Sequence, residues 1–255
     1  MSHLIAVCGK GGVGKSTFIA LTLKMLLSKH ISDILVLDGD PDSNMPDLLG
    51  VKPKETVGHV LDRLVADLEY RRISPTVDKE RLISSAIFNI TTETDLFDLF
   101  VLGSMESDGC YCPLTNNLSR VIGRNINQYD YCLLDLPAGL EHINRGVVKQ
   151  VDTLFTVLDG SRLSISTLKR IIKLVEALQD QPNNFVAIAN RVDEETACIL
   201  QEAVEDLGVI FGGWLPQDDH LERMNQTSAD LLDLPDSSPA LVAVAPIVEN
   251  ILQKM

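Results

Sequence analysis

Gly9-Lys10-Gly11-Gly12-Val13-Gly14-Lys15-Ser16-Thr17 lies between His3-Leu4-Ile5-Ala6-Val7-Cys8, an apolar run of strand length, and Ser16 to Lys29, which is apolar on most of a helical circumference. Strand, glycine-rich loop and helix in that order make a phosphate-binding mechanism. The glycines let successive backbone N–H groups turn inward around phosphate oxygens. The helix N-terminus adds the positive end of its dipole. Lys15 can reach the outer phosphates of a nucleotide, and the Ser16 hydroxyl suits Mg²⁺. The candidate phosphate-binding set is therefore Gly11, Gly12, Val13, Gly14, Lys15, Ser16 and Thr17, and the implied ligand is a nucleoside triphosphate.

Outward from this loop, apolar strand-length runs and helical stretches alternate along all 255 residues. That alternation predicts one doubly wound α/β domain over residues 1–255, a mostly parallel sheet flanked by helices. The net charge of −14 argues against a nucleic-acid grip, which needs clustered Lys and Arg, and against an anionic membrane surface. No apolar run approaches the roughly 20 residues of a membrane-spanning helix. The N-terminus enters the first strand directly, which leaves no room for a signal peptide. The expectation is a cytoplasmic protein with neither nucleic acid nor membrane as partner. Five cysteines, an odd number, predict no disulfide framework. Cys8 and Cys132 in predicted strands and Cys198 in a predicted helix are expected to be packing residues.

A second strand, Asp33 to Asp38, ends in Asp38-Gly39-Asp40-Pro41-Asp42-Ser43-Asn44. Acids where a parallel strand emerges lie at the usual ligand crevice of such sheets. Asp40 is the candidate for orienting an attacking water and Asp38 for supporting the Mg²⁺ shell, although Asp and Pro also make ordinary polar turns. Residues 51–96 carry no assignable chemistry. Glu55 to Leu68 has helical spacing with Val57, Val60, Leu61, Leu64, Val65 and Leu68 on one side. Lys79 to Ala86 is a further helix, Phe97 to Leu102 a strand, and the charges between them are expected to be solvated.

Asp130 to Asp135 is a strand closing on an acid that can hold Mg²⁺ through water, and Gly139 beyond it can offer its N–H to a γ-phosphate. Thr153 to Leu158 is a strand, Ser161 to Leu178 an amphipathic helix, and Phe185 to Ala189 a strand that leads into Asn190-Arg191-Val192-Asp193. The Asn190 amide can pair with a purine edge, and Asp193 also suits the start of the next helix. Ile210 to Leu215 is the last strand, and Pro216-Gln217-Asp218 is expected to turn back over the base. Ser238 to Met255 reads as a helix interrupted near Pro246.

Gly109-Cys110-Tyr111-Cys112-Pro113 precedes a helical stretch from Leu114 to Ile126. Pro113 suits the first helical position, which puts both cysteines at a helix N-terminus, where thiolate is favoured. Cys110 and Cys112 together can bind one ion such as Ni²⁺ or Zn²⁺. Closed thiolate sites have four ligands, so the pair is half a site and a homodimer would complete it. A redox pair is the alternative. His142 is left out of the metal set.

Lys-Gly-Gly-Val-Gly-Lys-Ser-Thr, with Lys10 after the first glycine, resembles the deviant loop of the ParA/MinD group of P-loop ATPases, to which the nitrogenase iron protein belongs. The resemblance implies that fold and a nucleotide-sandwich homodimer in which Lys10 touches the partner's nucleotide. Asp38-Gly-Asp-Pro and Asp135-Leu-Pro-Ala-Gly139 resemble the switch I and switch II elements of the same group. Asn190-Arg191-Val192-Asp193 resembles the guanine reader Asn-Lys-x-Asp of GTPases, with Arg for Lys, so GTP stays a rival. Asn followed by a basic residue accompanies adenine in ParA-like ATPases, which favours ATP, with Asn190, Arg191 and Pro216 around the base.

Together with Cys110-Tyr-Cys112 and Ala138-Gly-Leu-Glu-His142, these motifs resemble the CooC-type ATPases that mature carbon monoxide dehydrogenase. That resemblance implies an ATP- and Mg²⁺-dependent homodimer with Lys10, Lys15 and Asp40 as catalytic residues. It also implies nickel held by two cysteines from each subunit and delivered to the dehydrogenase apo-enzyme. An iron–sulfur cluster carrier or reductase, a GTP-dependent metallochaperone and a ParA/MinD-type positioning ATPase are the alternatives.

Overall fold

The computed structural model describes residues 2–70, 72, 74, 78–104, 122–140, 151–227 and 229–252. Strands β1 (His3–Gly9), β2 (Ile34–Asp38), β5 (Tyr131–Asp135) and β6 (Thr153–Leu158) are nearly continuous apolar runs. Such runs mark parallel strands covered on both faces. With β3 (Thr92–Glu93), β4 (Asp98–Val101), β7 (Asn184–Asn190) and β8 (Ile210–Leu215), they form, among the described residues, a sheet of eight strands in the order β3-β4-β2-β5-β1-β6-β7-β8. Every neighbouring pair is parallel except β3 with β4.

Side chains alternate between the two faces. Ile5 and Val7 of β1 pack with Phe18, Ile19 and Leu23 of α1 (Lys15–Ser28), which lies on one face with the C-terminal helix α8 (Pro239–Leu252) and its Val244, Ile247 and Val248. Leu4, Ala6 and Cys8 point the other way, into Val57, Val60, Leu61 and Leu64 of α3 (Val57–Glu69), Ile83 of α4 (Lys79–Ile90) and Ile171 and Val175 of α5 (Arg162–Glu176). Helix α6 (Glu194–Glu205) covers β7 on that second face through Ala197, Leu200 and Val204. The short α2 (Met45–Leu48) and α7 (Asp219–Thr227), neither read from the sequence, lie at the loops after β2 and β8.

Several expectations need correction. Cys8 and Cys132 are buried as expected, but Cys198 is exposed on α6 and packs against nothing in the core. Helix α8 is not interrupted: it runs through Pro246. Proline removes the N–H that would bond the carbonyl four residues back, that of Val242. Val242 and Pro246 both face solvent, where water can take that carbonyl, while the buried side of the helix stays whole. Among the described residues of 51–96, Arg63 and Arg72 are exposed, as expected, and pair with Glu55 and Asp67 at the surface.

Asp218, expected only in a turn, is buried and caps two helices. Its Oδ1 accepts from the His220 amide at 2.8 Å, satisfying the start of α7. Its Oδ2 accepts from the Ser238 hydroxyl at 2.5 Å and the Ala240 amide at 3.1 Å, at the start of α8. Replacing it leaves buried donors of both helices without an acceptor. We expect Asp218→Ala to lower the unfolding free energy by about 2–3 kcal/mol in urea titrations followed by circular dichroism, with Asp218→Asn intermediate.

Candidate nucleotide site

The glycine loop sits at the carboxyl end of the central strand, and close approaches dictate its glycines. Gly9 has φ +144°, and a Cβ there would lie 2.6 Å from the Val157 carbonyl oxygen of β6. Gly14 has φ +95° and presses against the Asn190 side chain, so a Cβ would collide with its amide nitrogen. Val13 is buried between them and fixes the loop to the core.

Below the loop, β2 and β5 carry their acids into one place. Asp38 and Asp135 end neighbouring strands and stand opposite each other in register. Both are fully buried. Burial pushes Asp135 up to about 7; its Ser16 hydrogen bond and nearby Lys15 oppose the rise, and Asp38 and Asp40 add to it. Burial likewise pushes Asp38 up to about 6 against hydrogen bonds from the Met45 and Asp40 amides. Those bonds, both 3.1 Å, bring the chain back from Asp38 to the start of α2 and so shape the loop that presents Asp40. Asp38 thus has a backbone-shaping task beyond the one expected of it.

Ser16 donates a short hydrogen bond to Asp135 Oδ2, while Asp135 Oδ1 is buried with no partner among the described residues. A hydroxyl and a carboxylate with a free buried oxygen, beside a phosphate loop, fit hydrated Mg²⁺, a hard ion that prefers oxygen ligands. Lys15 is buried at the head of α1, its Nζ 4.0 Å from Asp40 Oδ2. Gly139 is buried just past β5.

Two cavities meet at Arg191. One, about 360 Å³, is lined by the loop from Gly11 to Thr17, by Asp40, Asp42 and Asn44, and by Asp47 and Leu48 of α2. The other, about 500 Å³, is lined by Gly160, Val192, Asp193, Glu194 and Thr196 together with Trp214, Pro216 and Gln217. The first has the loop and charges for a polyphosphate. The second mixes apolar side chains (Val192, Trp214, Pro216) with polar ones (Asp193, Thr196, Gln217), a lining that suits a purine. Asn190 and Arg191 are tied to the loop itself: Asn190 Nδ2 donates to the Val13 carbonyl at 2.8 Å and Arg191 Nη2 to the Gly12 carbonyl at 2.5 Å. Asp193 caps α6, accepting from the Thr196 amide at 2.8 Å.

Lys10 pairs with Asp159 of its own chain, Nζ to Oδ2 3.4 Å. Asp159 was missed in the sequence, although it directly follows the apolar strand β6, much as Asp40 comes two residues after β2. Cys110, Cys112 and His142 lie outside the described residues. Among the described residues, no group of three or more His, Cys, Asp or Glu side chains could hold a metal ion.

Comparisons with known proteins agree with this geometry. The AAA domain family matches residues 2–188. An uncharacterized ATP-binding protein of Methanocaldococcus jannaschii is 36% identical over 98% of this chain and 99% of its own. The carbon monoxide dehydrogenase accessory protein CooC of Rhodospirillum rubrum is 30% identical over 92% of this chain and 90% of its own. The solved MinC:MinD cell division complex of Aquifex aeolicus superposes with TM-score 0.71 at 19% identity, covering 100% of this chain and 97% of that one.

Gly14→Ala should abolish nucleotide binding in calorimetric titration while leaving the fold in place. Asp135 titrates near 7 when folded and near 3.8 when unfolded, so the folded chain holds the proton more tightly. Its contribution therefore favours folding at low pH and is lost as pH rises from about 4 to about 7. Asp135→Asn should raise the melting temperature of the nucleotide-free protein by a few degrees at pH 8 and leave it unchanged at pH 4. The same variant should weaken Mg²⁺-dependent nucleotide binding at every pH.

Proposed function

This chain is a member of the AAA domain family of P-loop ATPases, and from that premise we propose a cytoplasmic, dimeric, nickel-inserting ATPase. It would work as one ATPase domain that closes as a nucleotide-sandwich homodimer. The cycle of ATP binding and hydrolysis would drive nickel insertion into the metal cluster of carbon monoxide dehydrogenase. The observation that carries this reading is the full-length similarity to a carbon monoxide dehydrogenase accessory protein in a chain that also has Cys110-Tyr-Cys112.

The chemistry of the ATPase follows from the residues present. The triphosphate fits the cleft under the loop amides and the N-terminus of α1, with Lys15 as its counter-charge. Ser16 and Asp135 would hold Mg²⁺, which neutralises charge on the phosphate oxygens. Phosphates compete with Asp40 for Lys15, and Asp40, once released, can accept a hydrogen bond from the attacking water. Gly139 offers its N–H at the γ-phosphate end. Lys10 of the partner subunit completes the positive cage. Adenine fills the Trp214–Pro216 cavity; ATP is preferred to GTP because Asp193, the acid that would read guanine, is held as a helix cap.

Nickel is cargo in this scheme. Cys110 and Cys112, which the sequence pattern puts ahead of a helical stretch, would supply two thiolates, and the second subunit the other two. Zn²⁺ suits the same thiolates, so cellular supply decides which ion is carried. Closing the dimer on ATP sets the four sulfurs, and hydrolysis, by loosening the interface, lowers their hold on the ion.

Anaerobic metal titration with native mass spectrometry, with and without ATP and Mg²⁺, tests the scheme on wild type and a Cys110→Ala/Cys112→Ala variant. One Ni²⁺ per dimer, absent in the variant, is expected. An iron-containing brown dimer would replace the reading with an iron–sulfur carrier or reductase. A protein that takes no metal in either form would leave only a ParA-like ATPase of unknown cargo.

A further inference from the structure

The Lys10–Asp159 pair is built more carefully than a chance surface contact. Asp159 Oδ1 accepts three hydrogen bonds: from the Ser161 amide at 3.0 Å, the Ser161 hydroxyl at 2.5 Å and the Ser164 hydroxyl at 2.6 Å. Ser164 in turn accepts from the Asp159 amide at 3.0 Å. One oxygen is thus saturated and the carboxylate cannot rotate, which leaves Oδ2 aimed at Lys10. Burial would push Asp159 up, but the two serines and the Lys10 ammonium together hold it well below the usual carboxylate range, so it stays charged.

We propose that Asp159 is a positioning residue that keeps Lys10 on its own subunit until nucleotide is bound, and so sets how strongly assembly depends on nucleotide. This rests on the reading that Lys10 crosses to the partner's phosphates. The electrostatics work from both sides. At an empty partner site the Lys15 ammonium is already matched by Asp40, and the positive end of α1 opposes an arriving lysine. At home, Lys10 has a fixed anion. A bound triphosphate reverses the preference by bringing several negative charges to the loop. Ser161 and Ser164 do not touch Lys10, so their part is to keep the carboxylate pointed.

The pair is about a third exposed on the lysine side and a quarter on the aspartate side, which limits its strength. Its loss should tighten assembly about fivefold for each lysine, the upper range for such pairs, and thus about 25-fold for the two that a dimer releases.

Sedimentation velocity on the full chain, without nucleotide and across an ATP titration with Mg²⁺, provides the test. Asp159→Asn, which keeps an acceptor for the serines, should assemble at lower ATP and lower protein concentration than wild type. Ser164→Ala should shift assembly the same way by less. Acetylation of Lys10, read by mass spectrometry on the nucleotide-free protein, should be faster in both variants, and this readout does not require assembly. A damaged fold would weaken association, so tightening is a change that a merely structural role would not produce. Assembly of Asp159→Asn that matches or falls below wild type, with Lys10 acetylated no faster, overturns the latch alone. Wild type that stays monomeric with ATP and Mg²⁺ removes the sandwich reading and the latch with it.

Discussion

Two carboxylates stand side by side at the buried ends of adjacent parallel strands, and the carboxyl edge of the sheet is arranged around them. Asp38 and Asp135 are in register, fully buried and both pushed toward neutrality. Like charges at that distance without compensation would destabilise the sheet. Compensation comes from backbone amides for Asp38, and for Asp135 from the Ser16 hydroxyl with the Lys15 ammonium close by. The phosphate loop and α1 are therefore held against the acids beneath them as well as by Val13 and Phe18 in the core. The partnerless oxygen of Asp135 is the part left uncompensated, and it lies where a divalent cation would be useful.

The same arrangement of charge explains how an anion site can exist in a chain with net charge −14. In the nucleotide-free protein both loop lysines have carboxylate neighbours, Lys15 with Asp40 and Lys10 with Asp159. Each carboxylate occupies, electrostatically, the place of a phosphate. In the proposed cycle, binding a nucleotide would exchange these anions and release each acid for another task. Ion exchange of this kind keeps the loop folded when empty, since Arg191 and Asn190 hold its carbonyls from the other side throughout.

The strand–loop–helix order and the parallel sheet were legible because continuous apolar runs of strand length favour a covered parallel sheet, and Gly9, Gly12 and Gly14 reappear with the positive φ that makes them necessary. What was not legible depended on partners distant in sequence. Lys10 and Asp159 are separated by 149 positions, and no local pattern distinguishes a latched acid from a solvated one. Asp218 reads as a turn residue until α8 returns to it. Pro246 reads as a helix break because propensity is local, whereas the buried face of α8 makes the decision. Asn190 reads as a base contact; its amide also braces Val13, a contact visible only once β7 lies beside the loop.

The two borders of the sheet bear on how copies of this protein can meet. One border is β3, two residues long and running against the direction of the rest. The other is β8, whose ladder with β7 slips in register between Ala187 and Ile188, beside Gly213 at φ +134°. A short reversed strand and a bulged one are poor templates for another chain's backbone. The molecule is thus blunted against open-ended growth strand upon strand. Contact between copies is then left to side chains and loops, which a bound ligand can make or break.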